Sequence, residues 1–401
     1  MKQPLGVVIA GGGMVGLATA ALLKNALPSS HVRVIDASPA PRHDAQSDVG
    51  PRVSAISLGS ARLLDDLGVW PEVLATRVGP YRAMRVWDAA STADSPDALN
   101  FDAADFALAE LGFIVENDLL RAALYGRCQR LDVELDFDRT MERVASSDDG
   151  ERATVTLGSG EQLSPDILVG ADGGASFVRS SLNIDSRLWR YPQSALVTHV
   201  SSERPHQETA WQRFLPGGPL ALLPLPDGRS SVVWSDAPER VADALAAGDE
   251  ELGARLTDAS DGILGRLQVA GPCASFPLRA QHAARYIAPG VALVGDAAHS
   301  VHPLAGQGVN LGFGDAHSLA VAIEDAATQG EYPGDLPTLR AYERARRGAN
   351  AAMLHFTDGL NRLFMSRSAP LATLRRRGMR LFNRSGPIRR HAVQVALGIT
   401  V

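Results

Sequence analysis

The stretch VALVGDAAHSVHPLAGQGVN at residues 291–310 decides the fold of this chain. An apolar strand runs into the Gly295-Asp296 turn, and a glycine-rich helix start follows at residues 306–308. Asp296 can accept hydrogen bonds from a polyol, while the backbone N–H groups and the helix dipole after Pro303 favour an anion or a partly negative heterocycle. The stretch therefore indicates a ligand site. The alternative is an ordinary connection between a strand and a helix.

A second glycine-rich turn lies near the start of the chain. Gly11-x-Gly13-x-x-Gly16 follows an apolar run and begins a helical segment. Asp36 lies at the end of the next apolar run. The order strand, helix, strand predicts a parallel sheet. Glycines at this spacing let the backbone approach a pyrophosphate, and the carboxylate can accept from a ribose hydroxyl. The motif predicts a dinucleotide site but does not distinguish NAD from FAD.

A third turn of the same kind occurs in DILVGADGGASFVR at residues 166–179. Asp172, Ser176 and Arg179 are expected to converge near the cofactor. The alternative is that Arg179 only pairs with Asp172 to hold the turn. A simple NAD dehydrogenase needs neither this turn nor the Gly295-Asp296 turn. A flavin carries both a ribityl polyol and an electron-rich pyrimidine, so the three turns together favour FAD.

The composition excludes several protein classes. With 401 residues, 45% hydrophobic and 21% charged, the chain can bury a sizeable core and reads as globular. Cys128 and Cys273 lie far apart, which supports neither a disulfide framework nor a zinc site and suggests a reducing cytosol. Residues 5–23 carry no charge, but five glycines argue against a membrane span or targeting segment. The ten histidines follow no metal-ligand spacing.

The net charge of −6 conceals an asymmetry. Residues 362–401 contain nine arginines and no acidic residue, so the first 361 residues, with 30 basic and 45 acidic side chains, carry −15. One interpretation is a surface for anionic lipid or an acidic partner, and the other is a solvated helical face that pairs with the acidic body. Nucleic acid is not expected, because the whole chain is acidic. The arginines concerned are Arg375, Arg376, Arg377, Arg380, Arg384, Arg389 and Arg390.

Changes of pattern along the chain predict its organisation. Helices are expected over residues 60–67, 315–327 and 339–364, and an antiparallel meander is expected from Asp132, with turns at 148–150 and 158–160. The acidic segment 88–105 reads as a surface excursion, and the tail from Pro370 reads as helical with breaks at Gly378, Gly386 and Pro387. A cofactor domain is expected over residues 1–80, 100–185 and 281–345, a β-rich substrate domain over 81–99 and 186–280, and a helical, Arg-rich segment over 346–401.

The three turns together resemble the single-component FAD-dependent aromatic hydroxylases. Four further stretches resemble the ubiquinone-biosynthesis hydroxylase family more narrowly, so that the likeness spans nearly the full length. The resemblance implies an α/β fold with a Rossmann-like FAD domain of the glutathione-reductase and para-hydroxybenzoate-hydroxylase type, an inserted, mainly antiparallel β domain and a C-terminal helical segment. The stretches are PRVSAISLGSARLLDDLGVWPEV (51–73), GFIVENDLLRAAL (112–124), FLPGGPLALLPLPDGRSSVVWS (214–235) and DGLNRLF (358–364).

The resemblance also implies site residues. Asp172 is expected to lie near both FAD and a pyridine nucleotide, and Asp296 to hold the ribityl chain. Many family members carry Glu where this chain has Asp36, a shorter carboxylate. Pro303 and Gln307 are expected to act in catalysis by positioning flavin and substrate. The expected cofactor-binding residues are Gly11, Gly13, Met14, Val15, Gly16, Asp36, Arg52, Arg121, Asp172, Gly295, Asp296, Gly306, Gly308, Val309 and Asn310.

The activity that the resemblance implies is hydroxylation of a polyprenylated phenol on the path to ubiquinone. FAD would be reduced by NAD(P)H or another donor and would react with O₂ to form a flavin C(4a)-hydroperoxide. The protein would orient the flavin and the substrate and would exclude water from the site. We expect a cytoplasmic protein, with contact to a membrane or a biosynthetic assembly left open. Two alternatives stay open: hydroxylation of a small soluble aromatic, and a non-catalytic FAD protein that recruits partners.

Histidines and other polar residues near these segments have simpler explanations. His299 and His302 flank the Gly295-Asp296 turn, where a histidine more often closes a backbone hydrogen bond than moves a proton. For His199, Trp211 and Arg213 in the β-rich domain, packing is favoured over a place in the substrate pocket.

Overall fold

The computed structural model of the protein describes residues 4–147, 150–302, 306–366 and 369–399. Pro303 and part of the expected turn at 148–150 lie outside the described residues. The α-helices are α1 (Met14–Ala26), α2 (Leu58–Asp66), α3 (Trp70–Thr76), α4 (Asn117–Arg130), α5 (Phe177–Ser181), α6 (Pro238–Ala246), α7 (Asp249–Ala259), α8 (Gly308–Gln329), α9 (Leu336–Met365), α10 (Ala369–Arg384) and α11 (Pro387–Ala396). Short 3-10 helices lie at Ala103–Phe106 and Gly295–Ala297.

The strands alternate with these helices along the first part of the chain and follow one another closely in the middle. They are β1 (Gly6–Ala10), β2 (His31–Ile35), β3 (Val53–Ser57), β4 (Gly79–Tyr81), β5 (Ala83–Asp88), β6 (Leu99–Asp102), β7 (Gly112–Glu116), β8 (Glu134–Asp136), β9 (Met141–Ser146), β10 (Ala153–Leu157), β11 (Gln162–Leu163), β12 (Ile167–Gly170), β13 (Ser186–Ser202), β14 (Thr209–Leu215), β15 (Gly218–Pro224), β16 (Ser230–Asp236), β17 (Leu267–Val269), β18 (Ala274–Ala283), β19 (Ile287–Ala288), β20 (Val291–Leu293) and β21 (His299–Ser300).

A six-stranded sheet forms the centre of the cofactor domain. Its strand order is β19-β20-β12-β1-β2-β8, and all neighbours run parallel except β19 and β20. Its central strands are buried on both faces, as an apolar sheet covered by helices requires. Since β20, β12 and β1 are neighbours, the three glycine-rich turns leave the carboxyl edge of the sheet side by side. This confirms the expected parallel sheet.

A second, nine-stranded sheet dominates the middle of the chain. Its order is β21-β18-β13-β16-β15-β14-β5-β6, with β17 beside β13, and its pairs are antiparallel except β14 with β5. Side chains alternate between its faces. Leu196, Leu220, Leu222 and Val232 point to one face, where they pack with α6 and α7. The opposite face is turned towards the cofactor domain.

Several local expectations are confirmed and two are wrong. The antiparallel meander exists as β9, β10 and β11, and the helices expected at 315–327 and 339–364 are parts of the longer α8 and α9. The acidic segment 88–105 is not only a surface excursion, because β6 pairs with β5 and the buried Ala93 and Ala98 pack with Trp87. Gly378 does not break the tail, since α10 continues through it. The expected domain boundaries stay predictions, and β6 and β18 cross two of them.

The Arg-rich tail pairs with the acidic segment at three points. Arg375 Nη2 lies 2.5 Å from Asp88 Oδ2, Arg380 Nη2 lies 2.8 Å from Asp97 Oδ1, and Arg389 Nη2 lies 2.9 Å from Asp105 Oδ2. For these three arginines the pairing interpretation is confirmed. Among the helices that the structure describes, none combines the length and apolar character needed to cross a bilayer.

Candidate active site

The turn after β1 uses its glycines in two different ways. A Cβ on Gly16 would lie 1.9 Å from the Gly11 carbonyl oxygen, and one on Gly11, whose φ is +107°, would lie 2.4 Å from the Ala171 oxygen. These two positions need glycine because strand, helix and neighbouring turn meet there. Gly13 has open space instead, and as the N-cap of α1 it leaves the first N–H groups without a side-chain acceptor. Such a helix start binds an anion.

Asp36 and Arg121 hold this turn in place. Asp36 Oδ2 accepts from the Gly12 N–H at 2.6 Å, and its Oδ1 accepts from the Ser38 N–H at 2.7 Å. Arg121 Nε donates to the Gly12 carbonyl at 2.7 Å, and its Nη2 lies 3.9 Å from Asp36 Oδ2. Both side chains thus contact the backbone that the expected pyrophosphate would approach.

The turn after β12 contains an unpaired acceptor. Asp172 Oδ2 accepts from the Val178 N–H at 3.0 Å, while its buried Oδ1 has no hydrogen-bond partner among the described residues. A buried carboxylate oxygen is costly unless a donor reaches it, so this atom suggests a ligand hydroxyl or amide. Ser176 is buried and caps α5, where its hydroxyl oxygen accepts from the Arg179 N–H at 3.0 Å.

Arg179 connects two turns rather than pairing with Asp172. Its Nη1 donates to the Ala297 carbonyl at 2.7 Å and its Nη2 to the Gly174 carbonyl at 2.8 Å. The alternative of an Arg179–Asp172 pair is therefore not seen, although Arg179 does hold the turn. Burial lowers the pKa of Arg179, although the charge of Asp172 acts in the opposite direction. The guanidinium fixes the turn after β12 against the turn after β20.

A buried network behind Gly295 positions the turn after β20. Asp315 Oδ2 accepts from the Gly295 N–H at 3.1 Å and from His299 Nε2 at 2.5 Å. Its Oδ1 accepts from Arg346 Nε at 2.8 Å and from Asn350 Nδ2 at 2.9 Å. Burial alone would raise the pKa of Asp315, but His299 and Arg346 outweigh it and hold that pKa below its ordinary value.

Sequence reasoning missed this network because its members are separated by up to 55 residues. The expectation that His299 closes a backbone hydrogen bond is wrong, since its partner is the Asp315 carboxylate. His302 makes no backbone hydrogen bond either. Both of its ring nitrogens are buried without a partner among the described residues, and its ring meets that of Tyr191 edge-on at 4.8 Å. Burial lowers the pKa of His302 to about 4.

Asp296 itself faces a cavity of about 640 Å³ between the two sheets. Its carboxylate is accessible from that cavity, while surrounding protein desolvates it and raises its pKa, against the charges of His299, Arg52 and Arg279. Of the expected site residues, eight line the cavity: Gly13, Met14, Val15, Arg52, Asp296, Gly306, Gly308 and Val309. The others, Gly11, Gly16, Asp36, Arg121, Asp172, Gly295, Gln307 and Asn310, lie outside its lining within the described ranges.

Asn310 and Gln307 hold the segment before α8 to neighbouring elements. Asn310 Oδ1 accepts from the Ser57 N–H at 2.9 Å, and its Nδ2 donates to the carbonyls of Ala55 and Gly306. Gln307 Nε2 donates to the Ala396 carbonyl at 3.3 Å, at the end of α11. Gln307 is also the N-cap of α8 and gives its N–H groups no side-chain acceptor. The helix start stays available to a ligand.

The nine-stranded sheet supplies the cavity floor. The side chains on this floor are small, apolar, or polar without a charge. They come from alternate positions of β13 to β16. The floor consists of Ala195, Val197, Ala210, Gln212, Pro219, Ala221, Leu223, Ser231, Val233 and Ser235. His199, Trp211 and Arg213 are not part of the lining, which confirms packing for them: His199 Nε2 contacts the Gly50 carbonyl, Trp211 meets Trp87, and Arg213 donates to the Asp258 and Ala259 carbonyls.

These residues fit flavin adenine dinucleotide. The open space at Gly13, the uncapped starts of α1 and α8, the unpaired Asp172 oxygen and the Asp296 carboxylate offer contacts for pyrophosphate, heterocycle and polyol. In the part of the chain that the structure describes, no three His, Cys, Asp or Glu side chains are grouped to hold a metal ion.

Comparison with known proteins agrees with this geometry. The protein family described as "FAD binding domain" matches residues 5–357. The chain is 37% identical to 3-demethoxyubiquinol 3-hydroxylase of Escherichia coli K12, over 99% of this chain and 100% of the relative. It is 36% identical to the human mitochondrial ubiquinone biosynthesis monooxygenase COQ6, over 97% and 92%. It is 39% identical to the ubiquinone hydroxylase UbiL of Rhodospirillum rubrum, over 98% and 89%.

Solved structures share the fold. PqsL of Pseudomonas aeruginosa in complex with 2-aminobenzoylacetate aligns with a TM-score of 0.75 at 25% identity, over 94% of this chain and 99% of that chain. The p-nitrophenol 4-monooxygenase PnpA of Pseudomonas putida aligns with a TM-score of 0.78 at 18% identity, over 99% of both chains.

Proposed function

The chain belongs to the ubiquinone-biosynthesis hydroxylase family of FAD-dependent monooxygenases, and we propose that it hydroxylates the aromatic ring of a polyprenylated phenol. The names of the three relatives support this substrate class. O₂ is the oxygen source in this proposal, and NAD(P)H is the proposed electron donor. The expected roles of the site residues remain predictions.

The cavity floor is the observation that carries the proposal. Ala195, Ala210 and Ala221 leave room where larger side chains would fill the space between the sheets, and Val197 and Val233 are apolar. An apolar, roomy chamber suits a ring with a hydrocarbon tail, because burial of such a tail is favourable by roughly 25 cal/mol per Å². The floor side chains on β13 to β16 are all uncharged, and the positive charge of the lining comes from Arg52 and Arg279 elsewhere around the cavity.

Neutral polar side chains interrupt this floor and suit a phenol. Gln212 on β14 and Ser231 and Ser235 on β16 face the cavity and are buried. The Gln212 amide makes no side-chain hydrogen bond within the described residues, so both its donor and acceptor are free for a ring hydroxyl or methoxy group. We propose that Gln212 orients the ring against the flavin.

The remaining lining residues prepare the site for the cofactor. Bound FAD supplies the redox chemistry that activates oxygen. Met14, Val15 and Val309 form an apolar wall that excludes water, while Asp296 accepts from hydroxyl groups. The uncapped start of α8 directs partial positive charge to a negative heterocycle. Arg52 and Arg279 add positive charge on the same side, beside Asp296.

A polyprenylated substrate resides in lipid, so the proposed function requires contact with a membrane or with an assembly that delivers the substrate. Lysate fractionation distinguishes these from a freely dissolved cytoplasmic enzyme. Recovery of the protein with membranes or in a complex of high mass is the expected result.

The function is tested with purified, FAD-loaded protein. Anaerobic NADPH is expected to bleach the flavin absorbance, and in air a prenylated phenol presented in detergent is expected to gain one oxygen atom, detected by mass spectrometry. The matched control is the same head group without a tail. Efficient hydroxylation of the short phenol alone would favour the small-aromatic alternative. If the flavin stays oxidised with NADPH but is reduced by a ferredoxin, only the proposed electron donor would be wrong.

A further inference from the structure

The outward faces of the last two helices carry exposed apolar side chains in stripes. On α10, Leu374 and Leu381 are 63% and 71% exposed and stand seven residues apart, two helical turns along one face. On α11, Ile388 and Val395 are 67% and 45% exposed at the same spacing. Large apolar side chains exposed in register, rather than singly, indicate a contact surface.

The opposite faces of both helices are anchored to the same segment. Arg380 and Arg389 pair with Asp97 and Asp105, and Asn383 Nδ2 donates to the Ala98 carbonyl. Because both helices turn their inner faces to residues 97–105, their outer faces point away from it together. Both stripes therefore face away from residues 97–105.

Positive charge borders the leucines. Arg377 and Arg384 are exposed, and at 100° per residue they project beside Leu374 and Leu381. Neither guanidinium makes an ion pair or hydrogen bond within the described residues, unlike those of Arg375, Arg380 and Arg389. An exposed leucine stripe with free arginines along its border is the pattern of a helix that lies in the headgroup region of an anionic bilayer.

We propose that the outer faces of α10 and α11 form a docking face for an anionic phospholipid membrane. This inference rests on the proposed function in one respect, because a prenylated substrate is the reason for the protein to contact a membrane. The inner face of α11 packs on the cavity wall: Tyr81 and Met84 line the cavity and also pack in the cluster that holds the buried Val393 and Leu397 of α11. Docking through these helices brings that end of the cavity close to the bilayer.

Co-sedimentation of the full-length, FAD-loaded protein with vesicles tests the docking face. Phosphatidylcholine vesicles containing phosphatidylglycerol are expected to bind the protein, and binding is expected to weaken with salt and without the anionic lipid. The double variant R377E/R384E is expected to lose binding by roughly thirtyfold or more, since each arginine near an anionic surface contributes about a factor of five. L374S/L381S is expected to lose binding even at low salt.

The matched controls change the same residue types elsewhere. R62E/R139E makes the same charge change at exposed sites on the body, and L74S/V321S removes two exposed apolar side chains from other helices. Both controls are expected to bind like wild type, and circular dichroism melts check that every variant is folded. Absence of vesicle binding by wild type, or equal loss in variants and controls, would overturn the docking face. The docking face would also be overturned if the protein bound an acidic protein through Arg377 and Arg384 but did not bind vesicles.

The outcome separates this inference from the proposed function. Hydroxylation of a short-chain prenylated phenol in detergent micelles does not need a bilayer. If vesicles bind as expected but no prenylated phenol is hydroxylated, the proposed function fails and the docking face stands. If hydroxylation proceeds in micelles and vesicles do not bind, the docking face fails alone.

Discussion

His299 Nε2 lies 2.5 Å from Asp315 Oδ2, and this buried pair stands directly behind the turn that carries Asp296. The same oxygen of Asp315 accepts from the Gly295 N–H. The turn that carries Asp296 is thus fixed from behind by a carboxylate on the following helix. Its geometry depends on the ion pair of Asp315 with Arg346 and on the contact of His299 with Asp315.

Removal of the Asp315 charge is expected to loosen this turn. Asp315→Asn leaves His299 and Arg346 facing a neutral group, and loss of one partner of a buried pair typically destabilises by roughly 3–5 kcal/mol. We expect a lower free energy of unfolding in urea and a raised dissociation constant for FAD. Asp325→Asn, at an exposed position of the same helix, is the control. Wild-type values for both quantities in Asp315→Asn would contradict the assigned role.

The Asp315 network also predicts acid sensitivity. Because its pKa in the folded state lies below the ordinary 3.8, the stabilisation is present above pH 3.8 and is lost as pH falls below it. Wild type is therefore expected to lose stability more steeply than Asp315→Asn in that range. Chemical denaturation at a series of acidic pH values measures the difference. Parallel curves would exclude a titrating Asp315.

His302 predicts a second, separate pH window. Its folded pKa is about 4 against an ordinary 6.5, so the unfolded chain binds its proton first and stability falls as pH drops from 6.5 towards 4. The total effect is roughly 3 kcal/mol. His302→Phe, which keeps a ring against Tyr191, is expected to flatten this slope. His317→Gln at an exposed site is the control, and an unchanged slope in His302→Phe would assign the dependence to other groups.

Alanine substitutions separate the two uses of glycine in the turn after β1. Gly16→Ala places a Cβ 1.9 Å from the Gly11 oxygen, so we expect a lower melting temperature even without cofactor. Gly13→Ala meets nothing within 4 Å and is expected to fold normally but to bind FAD more weakly, because the methyl group enters the ligand space. Melting curves of the apoproteins and FAD titrations measure both effects. Equal FAD affinity in Gly13→Ala and wild type would place the pyrophosphate elsewhere.

Gln212 offers a test of substrate orientation. Gln212→Leu keeps the size of the side chain and removes its hydrogen bonds, so kcat/KM for a prenylated phenol is expected to fall about tenfold. The flavin reduction rate without substrate should stay unchanged. Gln268→Leu, exposed on the same sheet, is the control. A loss confined to flavin reduction would point to a cofactor contact instead.

Local motifs were predictable, and long-range partnerships were not. The turns at Gly13, Asp172 and Asp296 follow from glycines and carboxylates close in sequence, and parallel pairing of β1, β12 and β20 is enough to bring them together. Asp315 gave no such signal, because its partners come from other elements. The cavity floor was equally hidden: which alternate residues face the flavin side depends on the register of four strands.

The tail illustrates an intermediate case. Charge complementarity between the arginines after residue 362 and the acidic body was visible in the sequence. It did not reveal that Arg375 pairs with Asp88 while Arg377 has no partner within the described residues, because the choice depends on which face of α10 meets β6. Helix orientation, not composition, divided the arginines into two groups.

The strand order of the central sheet has a consequence for biosynthesis. β20 inserts beside β12, yet more than a hundred residues, including six strands of the nine-stranded sheet, separate them along the chain. The ribosome must therefore release residues 1–290 before the sheet edge that bears Asp296 can form, and such distant pairing is slow. A nascent chain therefore passes this interval with the Asp296 side of the sheet edge still unformed.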